Sequence, residues 1–266
     1  MAEVFPDSPR VIYERSPLVE VICQVRFPTI LRIQTTLPVE FQEAIRERFP
    51  LFEQSVGQSI PDLPPEVARM INPLVRPDGG VAYTFAAEDG QERVSLSSSS
   101  LSMNTGRYTR WEDFWAAFEV PLKVLVDQYS PAFYVRVGLR YMDAICRSDV
   151  GLTDRPWSAL LAPHILGELQ LPEIEQHVQE VNRQVRWKFP GETGGIFFRH
   201  GLGKKQGRDE TCYVIDFDLY TDQKVEVADA SSVLRSFNRR AGKAFRWCLT
   251  EDLHLALGPR HLDGDQ

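Results

Sequence analysis

The chain has 266 residues, 43% of them apolar and 25% charged, which is enough to bury a full core in one large domain or two fused modules and unlike a disordered or collagen-like composition. No uncharged stretch approaches the roughly 18 apolar residues of a membrane helix, and residues 1–10 lack a basic start followed by an apolar run, so a soluble, unexported protein with no membrane partner is expected. A net charge of −7 argues against a protein that coats nucleic acid over its whole surface, although residues 183–246 alone carry 13 basic against 8 acidic side chains.

Alternation begins at residues 18–27, where Val19, Val21, Cys23, Val25 and Phe27 share one face and Glu20, Gln24 and Arg26 the other, the pattern of a half-buried strand. Pro38 opens a helical pattern in which Phe41, Ile45 and Phe49 recur until Pro50 stops it. Residues 51–80 contain Pro61, Pro64, Pro65, Pro73 and Pro77 without periodicity and read as a long irregular excursion. Three short strands are predicted at 81–87, 93–98 and 101–107, separated by Asp89-Gly90 and by the serine run at 97–100. Thr109 and Glu112 have the spacing of a capping box, so a helix is predicted to start there; Phe114, Phe118, Leu122, Leu125 and Tyr129 form its apolar stripe, with Pro121 inside and Pro131 after its end.

Residues 133–147 alternate again, with Phe133, Val135, Val137, Leu139 and Tyr141 opposite Tyr134, Arg136, Gly138 and Arg140. A short helical piece over 157–169 precedes three strands at 178–189, 195–200 and 211–220, punctuated by Gly191, Gly194 and Gly195 and by the stretch 201–207. A last helical stripe runs through Val233, Leu234, Phe237, Ala241, Ala244, Phe245 and Cys248. Residues 18–129 and 133–249 therefore each read strand, helix, three strands, helix. The predicted fold class is α+β, with antiparallel sheets carrying helices on one face and a pseudo-duplicated unit. Its halves are 1–130 and 131–266, which can also join into one continuous domain. Doubled plans of this kind offer a groove or saddle for binding.

Chemistry-bearing motifs are few. Cys23, Cys146, Cys212 and Cys248 are widely spaced, so there is no CxxC motif and no dense disulfide framework, and a reducing cytoplasm is the expected location. The five histidines have neither HExxH nor HxH spacing and no serine lies in GxSxG, so nothing argues positively for an enzyme and no cofactor is implied. The segment 201–208 has the glycines and lysines of a phosphate loop. It lacks a glycine at Phe198 and a serine or threonine at Lys205, and it lies between strands. Lys204, Lys205 and Arg208 therefore read as the tip of a basic hairpin, with contact to an anion or an acidic protein as the second reading. Asp216 and Asp218 share one face of a strand, where paired carboxylates can hold Mg²⁺ or serve as acid and base, or can form salt bridges with the row Arg136 and Arg140.

Three segments carry a resemblance. Ser16-Pro17-Leu18-Val19-Glu20-Val21-Ile22-Cys23-Gln24-Val25-Arg26-Phe27, Gly138-Leu139-Arg140-Tyr141-Met142-Asp143 and Phe245-Arg246-Trp247-Cys248-Leu249-Thr250-Glu251-Asp252-Leu253 together resemble an uncharacterised, sporadically distributed bacterial family of about this length, over nearly the whole chain. The family pattern often has asparagine where this chain has Asp143. The resemblance implies no activity, cofactor or catalytic residue. Its patchy occurrence is similar to that of mobile or defence-associated genes.

The first functional reading is a non-enzymatic binding or interaction protein for a protein or small-molecule ligand, with Arg136, Arg140, Tyr141, Lys204, Lys205 and Arg208 facing the ligand. Two alternatives stay open: a metal-dependent hydrolase or nuclease using Asp216 and Asp218, and a nucleic-acid-binding protein using the basic stretch 183–246.

Overall fold

The computed structural model describes residues 4–56, 81–190, 194–205 and 207–261. In chain order its elements are β1 (Val11–Tyr13), β2 (Leu18–Arg26), α1 (Leu31–Thr35), α2 (Val39–Ile45), β3 (Leu51–Val56), β4 (Val81–Ala86), β5 (Glu92–Ser97), β6 (Ser100–Thr105), α3 (Trp111–Tyr129), β7 (Arg136–Ile145), α4 (Trp157–Leu160), α5 (Pro163–Leu166), α6 (Pro172–Glu175), β8 (Asn182–Lys188), β9 (Gly195–Lys204), β10 (Thr211–Thr221), α7 (Ala230–Cys248), α8 (Glu251–Ala256) and β11 (Pro259–His261). The fold is α+β, with antiparallel strand pairing and no described helix long and apolar enough to cross a membrane. The chain forms two compact units: unit I is Glu20–Arg140 with Tyr220–Leu234, and unit II is Met1–Val19, Tyr141–Leu219 and Arg235–Gln266. The chain thus crosses between units several times, where the sequence suggested halves at 1–130 and 131–266 or one continuous domain.

In unit I the strand order is β3-β4-β5-β6-β2. Period-two alternation becomes two apolar rows running across the ladder. Phe52, Phe85, Val94, Met103 and Cys23 are successive cross-strand partners in one row; Tyr83, Leu96, Leu101 and Val25 make the other. Phe41 of α2 packs on Phe85 at 5.5 Å, and α2 packs on α3, whose Phe114, Phe118 and Leu125 are buried. The hairpin at Asp89-Gly90 is as predicted: Gly90 has φ +68°, and the Asp89 carboxylate accepts from the Gln91 N–H at 2.9 Å.

Two local readings are corrected here. Residues 51–56 are a strand, β3, and not part of an irregular excursion; its side chains are mostly exposed on both faces, so it owes its order to the ladder with β4 and shows no alternation. Residues 57–80, the rest of that excursion, and Gly191 lie outside the described residues. Nor does the capping box form: α3 starts one residue later, with Arg110 as its cap residue and no side-chain cap, and the Thr109 hydroxyl donates instead to the Asp113 carboxylate at 2.8 Å.

In unit II, which takes β7 from Tyr141 onward and β10 as far as Leu219, the order is β7-β10-β9-β8. Trp187, Phe198 and Phe217 stack from strand to strand, with Trp187–Phe198 at 5.6 Å and Phe198–Phe217 at 4.5 Å. Trp247 of α7 meets Trp187 edge-on, and Phe5 from the N-terminal segment lies against both indoles. β1 pairs with β11, and the Ala144 N–H donates to the Pro17 carbonyl. Both halves of the sequence share one connectivity, a strand followed by helices and a meander whose last strand lies near the first; β3 is the addition in the first half. Element order alone does not establish a duplication.

Candidate functional site

Two polar arrangements in unit II hold most of the chemistry. The first is interior. Arg199 of β9 and Asp216 of β10 approach at 2.7 Å, with side chains only 5% and 3% exposed. Arg199 also lies over the Phe197 ring, 4.7 Å from its centroid. Asp143 of β7 is buried nearby; burial first, and the Asp216 charge second, push its carboxyl well above the usual carboxylate range. The Cys248 thiol is pushed up by burial and then by the Asp143 charge. Beside them, the Tyr213 hydroxyl donates to the Ile165 carbonyl at 3.0 Å, so its oxygen accepts from Nδ1–H of His200 at 2.7 Å. That network places the proton of the neutral imidazole on Nδ1, while burial first, and the Arg183 charge second, lower its pKa to about 4.

The second arrangement is a cleft of about 330 Å³. It is lined by the end of β7 with Ile145, by Val150 and Leu257, and by the charged residues Glu14, Arg15, Asp149, Lys205 and Arg208. Asp149 sits on a single 3₁₀ turn (Arg147–Val150) that ends at Gly151, φ +70°. Its two carboxylate oxygens hold two cations: Lys205 Nζ lies 3.5 Å from Oδ2, and the Arg208 guanidinium pairs with Oδ1. Arg208 also donates to the Ser148 hydroxyl at 3.3 Å, while the Ser148 N–H donates to Glu210 at 3.0 Å. A disulfide between Cys146 and Cys212, with Cα atoms 4.4 Å apart, ties the strand ends beside this turn. Arg15 donates to the Ala256 carbonyl at 2.6 Å, and Glu14 is paired with Arg260. Three cations therefore line the cleft against one carboxylate not otherwise engaged with a cation outside it. Lys205 and Arg208 remain 34% and 42% exposed, within reach of a ligand.

The sequence candidates separate accordingly. Lys205 and Arg208 meet at the cleft, and Lys204 pairs with Asp209 on the same hairpin, outside the cleft lining. Arg140 and Tyr141 are buried, 6% and 7% exposed, and the Tyr141 hydroxyl donates to Asn238 of α7 at 2.9 Å; both faces of the strand are interior here rather than presented to a ligand. Arg136 lies over the Tyr220 ring at 4.5 Å. Asp216 and Asp218 are 2% and 3% exposed, and no group of three or more His, Cys, Asp or Glu side chains that could hold a metal ion occurs among the described residues. The alternation of polar residues, read as a surface pattern, here belongs to a strand buried on both faces.

Sequence reasoning missed Asp143, Asp149, Arg199, His200 and the disulfide. Arg199-His200 does leave a trace, as a polar pair closing the apolar run Ile196-Phe197-Phe198. The local excess of cations over 183–246 is largely answered by carboxylates: Arg183 by Glu168, Lys243 by Asp7, Arg246 by Glu251, and Lys205 and Arg208 by Asp149. Neither a family model nor a curated protein matches the chain.

Proposed function

We propose that this protein is a non-enzymatic binding module whose unit II cleft takes a small ligand bearing a carboxylate or phosphate group. The observation that carries this reading is Asp149 holding Lys205 and Arg208 side by side, partly exposed, on the wall of a 330 Å³ cleft. A carboxylate that anchors two cations fixes their positions before a ligand arrives, so less side-chain entropy is lost on binding. The cleft volume is near the lower end of the range for small-molecule pockets. Val150, partly exposed in the lining, suits a short hydrocarbon body attached to the anionic group. A setting among mobile or defence-associated genes is consistent with a recognition role and names no ligand.

Among the described residues the metal-hydrolase reading lacks a third ligand around Asp216, whose carboxylate is engaged by Arg199. The nucleic-acid reading needs clustered cations, and those of 183–246 are dispersed among ion pairs. Titration calorimetry with inorganic phosphate and with a C4 dicarboxylate tests the proposal and separates the two anion types. Saturable heat with at least one of them, lost in the Lys205→Ala/Arg208→Ala double variant, is expected. Absence of heat with both, or equal heat in the double variant, overturns the proposal.

A further inference from the structure

Strand β8 lies at the edge of the unit II strand order and, among the described residues, pairs with β9 alone. Two hydrogen bonds fix the phase of that ladder: the Leu202 N–H donates to the Val181 carbonyl at 3.0 Å, and the Phe189 N–H to the Gly194 carbonyl at 3.1 Å. In an antiparallel ladder, residues alternate between facing the partner and facing away. Odd-numbered residues of this segment therefore direct their backbone groups at β9. The N–H and C=O groups of Asn182, Gln184, Arg186 and Lys188 are directed away from it.

The side chains of those same four residues share one face and are exposed. Arg186 is steadied over the Phe197 ring, 4.2 Å from its centroid. On the opposite face Val185 is 37% exposed beside Trp187, while Arg183 is taken by Glu168. The edge thus offers a row of backbone donors and acceptors, two cations on one face and, on the other, the exposed Val185 beside the packed Trp187.

We propose that β8 is a docking edge for an extended acidic segment of a partner protein, added as a further antiparallel or parallel strand. Backbone pairing supplies affinity, and alternate side chains supply selectivity. A strand that alternates acidic and apolar residues places carboxylates opposite Arg186 and Lys188 and apolar groups beside Val185. A second copy of this chain fits poorly, because two paired β8 edges gather four cations on one face with no acidic side chain of β8 among them. The surface is separate from the Lys205/Arg208 cleft, so the two proposals stand or fall independently.

The test is fluorescence anisotropy of a labelled eight-residue peptide alternating Glu and Val, titrated with the full chain, against Lys-Val and all-Glu peptides. The Glu-Val peptide alone is expected to bind, more weakly at high salt. Arg186→Glu/Lys188→Glu should weaken it about tenfold, since each exposed pair contributes modestly. Gln184→Pro removes one outward N–H and no bond to β9, so the fold should persist, checked by its melting curve, while peptide binding is lost. Lys205→Ala/Arg208→Ala should leave it unchanged. Equal binding of the Lys-Val or all-Glu peptide, indifference to the charge-reversal pair, or no binding of the Glu-Val peptide overturns the proposal.

Discussion

Asp143 and His200 are both buried, and acid acts on them in opposite senses. The native Asp143 carboxyl holds its proton to a pH well above 3.8, whereas the unfolded chain releases it near 3.8. Its contribution to stability is therefore complete below 3.8 and lost as pH rises through the native value. His200 titrates near 4 when folded and near 6.5 when unfolded, so its contribution is present above 6.5 and lost as pH falls toward 4. Urea unfolding at several pH values from 4 to 7 should show Asp143→Asn gaining on the parent as pH rises. His200→Phe, which keeps a ring against Phe198, should gain on the parent as pH falls. Each slope is bounded by about 1.4 kcal/mol per pH unit. Neither residue was legible as a titrating group beforehand. Alternation along β7 looks the same whether its polar positions meet water or, as at Asp143, the interior; only the neighbouring strands decide between these.

Elements were legible where one face alone is buried. β2, β4, β5 and β6 each show a clean apolar row, and that row is the core of unit I. β3 was invisible because its order comes from backbone bonds to β4, which carry no side-chain pattern. The short strands β1 and β11 were missed for a related reason, since three residues make no period. Helix α8 begins at Thr250, whose oxygen accepts from the Leu253 N–H at 3.3 Å and whose hydroxyl lies 2.8 Å from the Ala159 carbonyl. Thr250→Ala should lower stability by about 1–2 kcal/mol in chemical denaturation, and Thr250→Ser should restore most of it. Lys205 and Arg208 do lie on the turn between β9 and β10, where the glycine-rich stretch placed a basic hairpin tip. Their partner Asp149 was not legible, because it comes from a turn 56 residues away.

Across the whole molecule, the α+β class followed from the order of elements, and the interleaving of the two units did not. The Cys146–Cys212 pairing is of the same kind. Their separation of 66 residues carries no motif, and their meeting depends on β7 and β10 being neighbours in the strand order. Closing such a loop restrains the unfolded chain by about 4 kcal/mol in the chain-entropy account. Cys146→Ala/Cys212→Ala should lower the unfolding free energy by that order, and adding a thiol reductant to the parent should approach the same value. Val11, Ile12 and Tyr13 pair with His261, Arg260 and Pro259, and Glu14 meets Arg260 across 246 positions. During synthesis the first of these segments leaves the ribosome long before its mate exists. Until residues 259–261 have been made and released, β1 has no partner strand, so this pairing is among the last that translation allows.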